Sequence, residues 1–297
     1  MALTGNQYAI GAGDFEATVV EVGGGLRSFA HRGVDIAASY GEGLPPKAAG
    51  AILVPWPNRL AGGRFPFDGS QYQTALTEPL TGNAIHGLGR WARWTAVEHG
   101  PSSVTMRLDI VAQTGWPFEV SVAVTYSLDR HNGLMVTAAA ENKGLGRAPF
   151  GMGFHPYLSL GGSTVDEAWL RVPAAERMVV DARQIPAGRE PVAGTAYDLR
   201  DGAPLGRLRL DDGFTSIEFV GGRGVVEVRT AHGGGRVWFD REFTCVQVYT
   251  LDALGEGTAA IAIEPMTCPA DAFNSGVGLI VLEPGSGWTA SWGIQAR

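Results

Sequence analysis

A regular alternation of apolar and polar residues constrains this chain more than any other feature. In FEVSVAVTY, the apolar residues Phe118, Val120, Val122, Val124 and Tyr126 alternate with residues that are smaller or polar. Successive side chains of a strand point to opposite faces, so the pattern predicts a strand with one face on a hydrophobic core. VTMRLDI has the same period, and no stretch shows the period of a long helix.

Further short apolar runs have the same character: LMVTAAAEN, AWLRVP, TSIEFV, VVEVRTA, RVWFD, CVQVYTL, GLIVLEP and WTASWGI. Glycine, proline, aspartate and asparagine separate these runs at short intervals, as is typical of turns. The 43 glycines among 297 residues and a hydrophobic fraction of 45% suit a turn-rich β protein with a large core. The sequence therefore predicts an all-β fold in which residues 1–297 form a single domain.

Composition also limits the partners of the chain. The net charge is −7 at pH 7, which argues against nucleic acids and anionic membranes, because both attract basic surfaces. No apolar run has membrane-spanning length and no signal peptide is recognised, so a cytoplasmic protein is expected. Cys245 and Cys268 match neither a disulfide framework nor a metal-binding spacing, and reduced, partly buried thiols are expected.

Three irregular segments are expected to form long loops. They comprise about residues 40–79, about residues 173–208, and the residues that follow Glu264. Binding and catalytic residues often lie on long loops of a β scaffold, so these segments are where a site is expected.

Glu264 and two histidines have unusual sequence contexts. Glu264 follows the apolar run AIAI and precedes Pro265, which is expected to end the strand. Burial there would favour the neutral carboxyl group and raise its pKa, which makes it a better base near neutrality. His86, in GNAIHGLGRWARW, and His155, in APFGMGFHPYLSL, are flanked by the glycines and aromatics common in sugar-binding clefts. One carboxylate and two imidazoles suggest proton transfer with no metal and no nucleophile.

Other chemistries fit the sequence poorly. It contains no HExxH motif, no closely spaced histidine and cysteine set, no GxSxG and no P-loop, so neither a metal nor a cofactor is expected. A glycosidase would need a second buried acid, and the only candidate, Asp211, is expected in a turn. The histidines at positions 31, 99, 131 and 232 are expected at the surface. Structural alternatives stay open, since Glu264 could form a buried salt bridge and Arg59 could anchor a loop.

The order of short motifs carries a family resemblance. NRL is followed by a glycine-flanked histidine with tryptophans after it, then by FHPYL, DDGF, QVYT, the buried glutamate and LEPGSGWTASW. This order resembles the aldose 1-epimerase (galactose mutarotase) family, from about residue 23 to the C-terminus. The resemblance implies a large antiparallel β-sandwich of the galactose mutarotase type. It also implies that the protein interconverts the α and β anomers of a sugar by acid–base ring opening.

The resemblance also implies roles for individual residues. Glu264 would be the general base and His155 the general acid, while the sugar would be bound by His86, Arg59, Asp211 and Gln247. Phe154 precedes the acid histidine where galactose-type members usually have asparagine, as in a bacterial branch of the family, so the sugar is left open. The choice between Asp211 and Asp212 is open as well.

A neutral monosaccharide is the expected substrate of a monomer or homodimer. A hexose 6-phosphate is an alternative, because arginines cluster in sequence around the first histidine, at positions 59, 64, 90 and 93. A phosphate site would need at least two of the last three to point into the cleft beside Arg59. A non-catalytic sugar-binding protein of the same fold is a further alternative. The candidate aromatic platforms for the sugar are Trp56, Trp91, Phe154 and Tyr157, and at least half of them are expected in the core.

Overall fold

The protein consists almost entirely of antiparallel β-structure. A computed structural model describes residues 2–255 and 258–296, with two large sheets whose ladders are all antiparallel. The only α-helix in this part of the chain is α1 (Ala272–Ser275), and short 3-10 turns cover Pro46–Ala48, Ala61–Gly63 and Val165–Glu167. Within it, no helix has the length and apolarity that crossing a membrane requires. The predicted all-β, antiparallel sandwich is confirmed.

The larger sheet has twelve strands. Their order is β1 (Gln7–Ala12), β2 (Phe15–Val20), β3 (Leu26–His31), β4 (Val34–Ala37), β16 (Tyr157–Ser159), β25 (Thr258–Met266), β24 (Cys245–Leu254), β21 (Asp211–Ile217), β18 (Ala174–Val180) and β19 (Pro186–Pro191). Beside this path, β15 (Gly153–Phe154) pairs with both β25 and β5 (Ile52–Leu53).

The second sheet has nine strands. Their order is β10 (Thr95–His99), β11 (Ser103–Ile110), β12 (Val120–Asp129), β13 (Gly133–Asn142), β27 (Gly287–Gln295), β23 (Gly234–Phe239), β22 (Gly224–Arg229), β17 (Trp169–Arg171) and β20 (Ala203–Pro204). Three two-stranded ribbons complete the fold: β6 (Arg59–Leu60) with β9 (Ala84–Ile85), β7 (Arg64–Phe67) with β8 (Ser70–Gln73), and β14 (Ala148–Phe150) with β26 (Ile280–Leu282).

One hydrophobic core joins the two sheets, and the alternation seen in the sequence explains it. Val120, Val122, Val124 and Tyr126 of β12 are fully buried, whereas the residues between them are partly exposed on the opposite face. Each buried valine contributes about 1.5–3 kcal/mol relative to an exposed one. The hydroxyl of Tyr126 donates a hydrogen bond to the carbonyl of Gly24 at 2.9 Å, so this buried polar group is satisfied.

The segment of residues 173–208 is not a long loop as expected. It contains strands β18 and β19, which pair as a hairpin at the edge of the larger sheet. Only Ala174 and Met178 of β18 are buried, and β19 has no buried residue, so an apolar alternation is missing. An edge hairpin can therefore form from a sequence that carries no clear strand pattern.

Pro265 does not end its strand, contrary to expectation. Strand β25 continues through Pro265 to Met266, and Pro265 lies opposite Val246 of β24. The amide of Ile263 donates to the carbonyl of Pro156, on the side away from β24. Amides two residues apart face the same side, so the nitrogen of Pro265 faces the gap between β15 and β16, where no ladder hydrogen bond is lost.

Candidate active site

Three neighbouring strands place polar side chains on one face of the larger sheet. Gln247 of β24 lies opposite Glu264 of β25, and Asp211 of β21 lies opposite Tyr249 of β24. Because side chains alternate along each strand, these four share a face, while the valines and isoleucines between them enter the core. The amide of Gln247 donates to Oδ1 of Asp211 at 2.7 Å. These strands, whose apolar sequences predict burial, thus present polar side chains on the face away from the core.

A cavity of about 300 Å³ opens above this face. Its floor is formed by the strand residues Asp211, Gln247, Tyr249 and Glu264, together with His155. Its walls come from loops and short ribbons: Lys47, Ala48, Asn58, Arg59, Thr77, Glu78, Ile85, His86 and Arg90. The volume is at the lower end of the range for small-molecule sites, and the lining is rich in hydrogen-bonding groups.

His86 is held in a single orientation and tautomer. It has a φ of 62°, and its backbone amide donates to the carbonyl of Asn58 at 2.9 Å. In return, the amide of Asn58 donates to Nδ1 of His86 at 3.2 Å. Burial lowers the pKa of His86 well below its usual value, and the nearby His155 and Arg90 add to the effect. The neutral imidazole therefore accepts through Nδ1 and carries its proton on Nε2.

Glu264 and His155 form a close pair on the cavity floor. Nε2 of His155 lies 3.3 Å from Oε1 of Glu264, and the two residues are only 5% and 2% exposed. The His155 ring stacks on Tyr157 with 5.1 Å between centroids and meets the His86 ring edge-on at 5.4 Å. Nδ1 of His155 and Oε2 of Glu264 are buried and have no hydrogen-bond partner in the described structure.

Burial determines the protonation of this pair. It raises the pKa of Glu264 well above the usual carboxyl value, with Asp211 adding to the rise and Arg59 opposing it. Burial also lowers the pKa of His155 to about 3, and Arg90 reinforces that shift. At pH values between these two shifted pKa values the pair consequently holds one proton and is neutral as a unit. A carboxyl and an imidazole in contact with one proton between them can serve as a base and an acid.

Arg59 is oriented by an ion pair. Its Nε and Nη2 donate to the two carboxylate oxygens of Glu78 at 2.8 and 2.9 Å. This bidentate arrangement fixes the guanidinium plane and leaves Nη1 as a donor for a ligand in the cavity. The same ion pair, with Thr81 as a further donor, keeps the pKa of Glu78 low although burial opposes this.

Asp211 and Asp212 have separate surroundings. Asp211 lines the cavity, while Asp212 points to the other face of β21 and pairs with Arg177. The alternation along the strand makes this separation unavoidable.

Comparison with known proteins agrees with this architecture. The sequence model of the family described as aldose 1-epimerase matches residues 6–295. The chain belongs to the aldose 1-epimerase family. Its relatives in this family include the uncharacterised Escherichia coli (strain K12) protein YihR, with 32% identity over 96% of this chain and 91% of YihR. Human galactose mutarotase is 32% identical over a shorter region that covers 54% of this chain and 48% of the human protein.

Solved structures of family members share the fold. The GalM/aldose epimerase homologue from C. elegans superposes with a TM-score of 0.87 at 21% identity, covering 98% of both chains. A putative aldose 1-epimerase from E. coli K12 has a TM-score of 0.84 at 22% identity, covering 98% of this chain and 99% of that one. The predicted resemblance to the aldose 1-epimerase family is confirmed.

In this family member, the six predicted site residues all line the cavity: Arg59, His86, His155, Asp211, Gln247 and Glu264. The histidines expected at the surface do not line it. Of the aromatic candidates, Trp56 and Phe154 lie in the core, Trp91 is half exposed, and Tyr157 lies beneath His155. Among the described residues, no three histidine, cysteine or carboxylate side chains converge in a metal-binding arrangement.

Several cavity residues were not predicted from the sequence, among them Tyr249, Lys47 and Glu78. Tyr249 lies two positions after Gln247, so the strand alternation could have indicated that it shares the same face. Lys47 and Glu78 lie in the irregular segment of about residues 40–79, where a site was expected, but nothing in their local sequence singled out these two residues.

Proposed function

We propose that this protein is an aldose 1-epimerase that interconverts the α and β anomers of a monosaccharide by acid–base ring opening. The contact between Glu264 and His155 on the cavity floor is the observation that carries the proposal. The anomeric hydroxyl and the ring oxygen of an aldose are bonded to the same carbon. A base and an acid that act on them must therefore lie close together, each about 2.6–3.2 Å from its oxygen.

The reaction requires two coupled proton transfers in each direction. The carboxylate of Glu264 removes the proton from the anomeric hydroxyl, and the imidazolium of His155 donates its proton to the ring oxygen. The bond from the anomeric carbon to the ring oxygen breaks and leaves an open-chain aldehyde. Rotation of the aldehyde by half a turn presents its other face, and the reverse transfers close the ring as the other anomer. Both groups return to their starting states.

The active protonation state follows from the shared proton. Burial favours the form in which Glu264 is a neutral acid and His155 a neutral imidazole. Transfer of that proton across the 3.3 Å contact gives the carboxylate and imidazolium that the reaction uses. Total charge is unchanged, so the productive form is a tautomer of the resting pair.

The other cavity residues suit a sugar ligand. His86 can donate through Nε2 and Arg59 through Nη1, while Asp211 can accept from hydroxyl groups and Gln247 can do both. Tyr249 offers an aromatic surface for the apolar face of a pyranose ring. Rigid strands and paired side chains hold these groups, which reduces the entropy lost on binding.

Polarimetry on freshly dissolved α-anomers tests the proposal. Glucose, galactose, xylose and arabinose should each be followed with and without the protein, and at least one should equilibrate faster with it. Binding of a sugar in calorimetry without any acceleration would favour a non-catalytic sugar-binding protein. In that case the proposed activity would be wrong.

A further inference from the structure

We propose that the substrate carries an oxyanion substituent, which Arg90 binds with Lys47 at the rim of the cavity. The inference rests on the proposed function and specifies its substrate class. It differs from the neutral sugar expected from the sequence. The two-arginine condition for a phosphate site is not met, because Arg64 and Arg93 do not line the cavity and only Arg90 does. The second cation of the proposed site is Lys47.

Arg90 is a cavity residue without a polar partner. Among the described residues, no hydrogen bond or ion pair engages its guanidinium group, which lies over the Trp91 ring, 5.3 Å from the ring centroid. Partial burial lowers the pKa of Arg90, and the negative charge of Glu78 opposes this shift. Five N–H donors of a partly buried cation are thus left for a ligand, and carboxylate or phosphate oxygens match their geometry.

The neighbouring arginines behave differently. Arg64 is exposed and donates to the side chain of Gln73, and Arg93 is exposed and pairs with Glu21 at 2.7 Å. Arg59 is neutralised by its bidentate pair with Glu78. Of this sequence cluster, Arg90 alone lines the cavity as a cation without a paired carboxylate among the described residues.

The charge of the cavity also favours an anionic ligand. Its cationic side chains are Lys47, Arg59 and Arg90, and its anionic ones are Glu78 and Asp211, while the Glu264–His155 pair is neutral. The lining therefore carries one net positive charge, which includes the exposed Lys47 at the rim, on a chain whose overall charge is −7. A neutral sugar would leave this charge uncompensated, whereas one oxyanion group would balance it.

An oxyanion at Arg90 would also assist the chemistry. The positive charge of Arg90 contributes to the lowered pKa of His155. A bound anion offsets that charge and makes the imidazole easier to protonate, which favours the acid that donates to the ring oxygen.

Comparing three related sugars tests the proposal. Mutarotation of glucose, glucuronate and glucose 6-phosphate should be measured in a Tris–chloride buffer free of oxyanions, with each uncatalysed rate subtracted. We expect kcat/KM to be at least about 10-fold higher for one charged sugar than for glucose, because hydrogen bonds to a charged group strengthen binding. The two charged sugars distinguish a carboxylate from a phosphate. Sodium chloride should weaken the preference in the wild-type protein, because salt screens partly exposed charges.

Variants assign the preference to Arg90. Arg90→Gln should reduce the ratio of kcat/KM for the preferred charged sugar over glucose by about 10–100-fold, and Arg90→Lys should restore part of it. Arg64→Gln removes an exposed arginine of the same sequence cluster and should leave the ratio unchanged. Circular dichroism first verifies the fold of each variant.

Two results would overturn the proposal while leaving the proposed function intact. One is a wild-type protein that accelerates glucose as well as both charged sugars, and the other is a preference that persists in Arg90→Gln. If no sugar of any kind is accelerated, the proposed function itself has failed.

Discussion

Gln247 and Glu264 lie directly opposite each other in the ladder between β24 and β25, and the amide of Gln247 also donates to Asp211 of β21. The Gln247 side chain therefore links Asp211 to β24, the strand that pairs with the one carrying Glu264. Groups held by paired strands keep their separation more strictly than groups on loops. The floor of the cavity is consequently the rigid part of the site.

Replacing Glu264 by glutamine should remove the base while preserving its size. We expect kcat to fall by about 10²–10⁴-fold with little change in KM, because contacts to the ground-state sugar survive. Polarimetry on the best substrate measures both constants. Glu98→Gln, at an exposed position of β10, is the matched control and should keep wild-type rates. A folded Glu264→Gln protein with unchanged turnover would make the buried carboxylate structural.

His155→Asn should lower kcat to a similar extent through loss of the acid. The double variant with Glu264→Gln should be little slower than either single variant, since groups that act as one unit are not additive. Single and double variants are compared in the same polarimetric assay. Effects that multiply fully would show that the two residues act in independent steps.

The pH dependence of kcat/KM should be broad and flat around neutrality. The pair holds one proton between the pKa of His155, about 3, and the raised pKa of Glu264. The acid limb therefore reports protonation of the imidazole, and the alkaline limb reports ionisation of the carboxyl group, the reverse of the order expected from unperturbed groups. We expect a plateau that begins well below the ordinary histidine pKa and ends where the carboxyl group of Glu264 ionises, well above the ordinary carboxyl pKa. A narrow bell with limbs near about 4.3 and 6.5 would contradict this.

Stability must be measured over the same pH range. The folded-state pKa values of His86 and His155 are lowered, so the unfolded chain binds more protons as the pH falls below the ordinary histidine value. The raised pKa of Glu264 opposes this, because the folded chain holds a proton there that the unfolded chain releases above the ordinary carboxyl pKa. Two histidines outweigh one carboxyl group, so the free energy of unfolding should decrease from about pH 6.5 downward. Urea titrations at each pH separate this loss of folded protein from the catalytic acid limb.

Asp211→Asn and Asp212→Asn should have different effects. Asp211→Asn should raise KM by about 10-fold with little loss of stability, because it removes a charged acceptor from the cavity. It should also shift the alkaline limb of the pH profile to lower pH, because the charge of Asp211 contributes to the raised pKa of Glu264. Asp212→Asn should destabilise the fold by about 1–2 kcal/mol through its pair with Arg177 and leave KM unchanged. Kinetics and urea denaturation decide, and the reverse pattern would assign the site to Asp212.

Gly87→Ala should disrupt the turn that holds His86. Gly87 has a φ of 67°, and an added Cβ would lie 2.0 Å from the carbonyl oxygen of Val54. Gly62 has a similar φ of 61° but open space around it, which makes Gly62→Ala a control for backbone strain alone. We expect losses of about 3–5 kcal/mol for Gly87→Ala and about 1–2 kcal/mol for Gly62→Ala. Equal losses in urea denaturation would show that the turn accommodates the methyl group.

The fold class could be read from the sequence because it depends on local pattern. The alternation in β12 specifies a strand with one buried face wherever the strand pairs, and the valines at 120, 122 and 124 are buried as predicted. The motif order around His86, His155 and Glu264 was likewise enough to indicate the family. The strand alternation and the motif order could be recognised because they depend only on residue types and their order along the chain.

Only the tertiary structure shows that Asp211 and not Asp212 lines the cavity, that Trp56 lies in the core, and that Arg90 faces the cavity without a paired carboxylate in the described structure. It also shows that β25 continues past Pro265, because β15 and β16 leave a gap where the nitrogen of Pro265 lies. Each of these outcomes depends on register and on loop paths fixed by residues far apart in the chain. A shift of one position in any ladder would exchange the two faces of a strand, and the local sequence contains no record of which partner lies opposite.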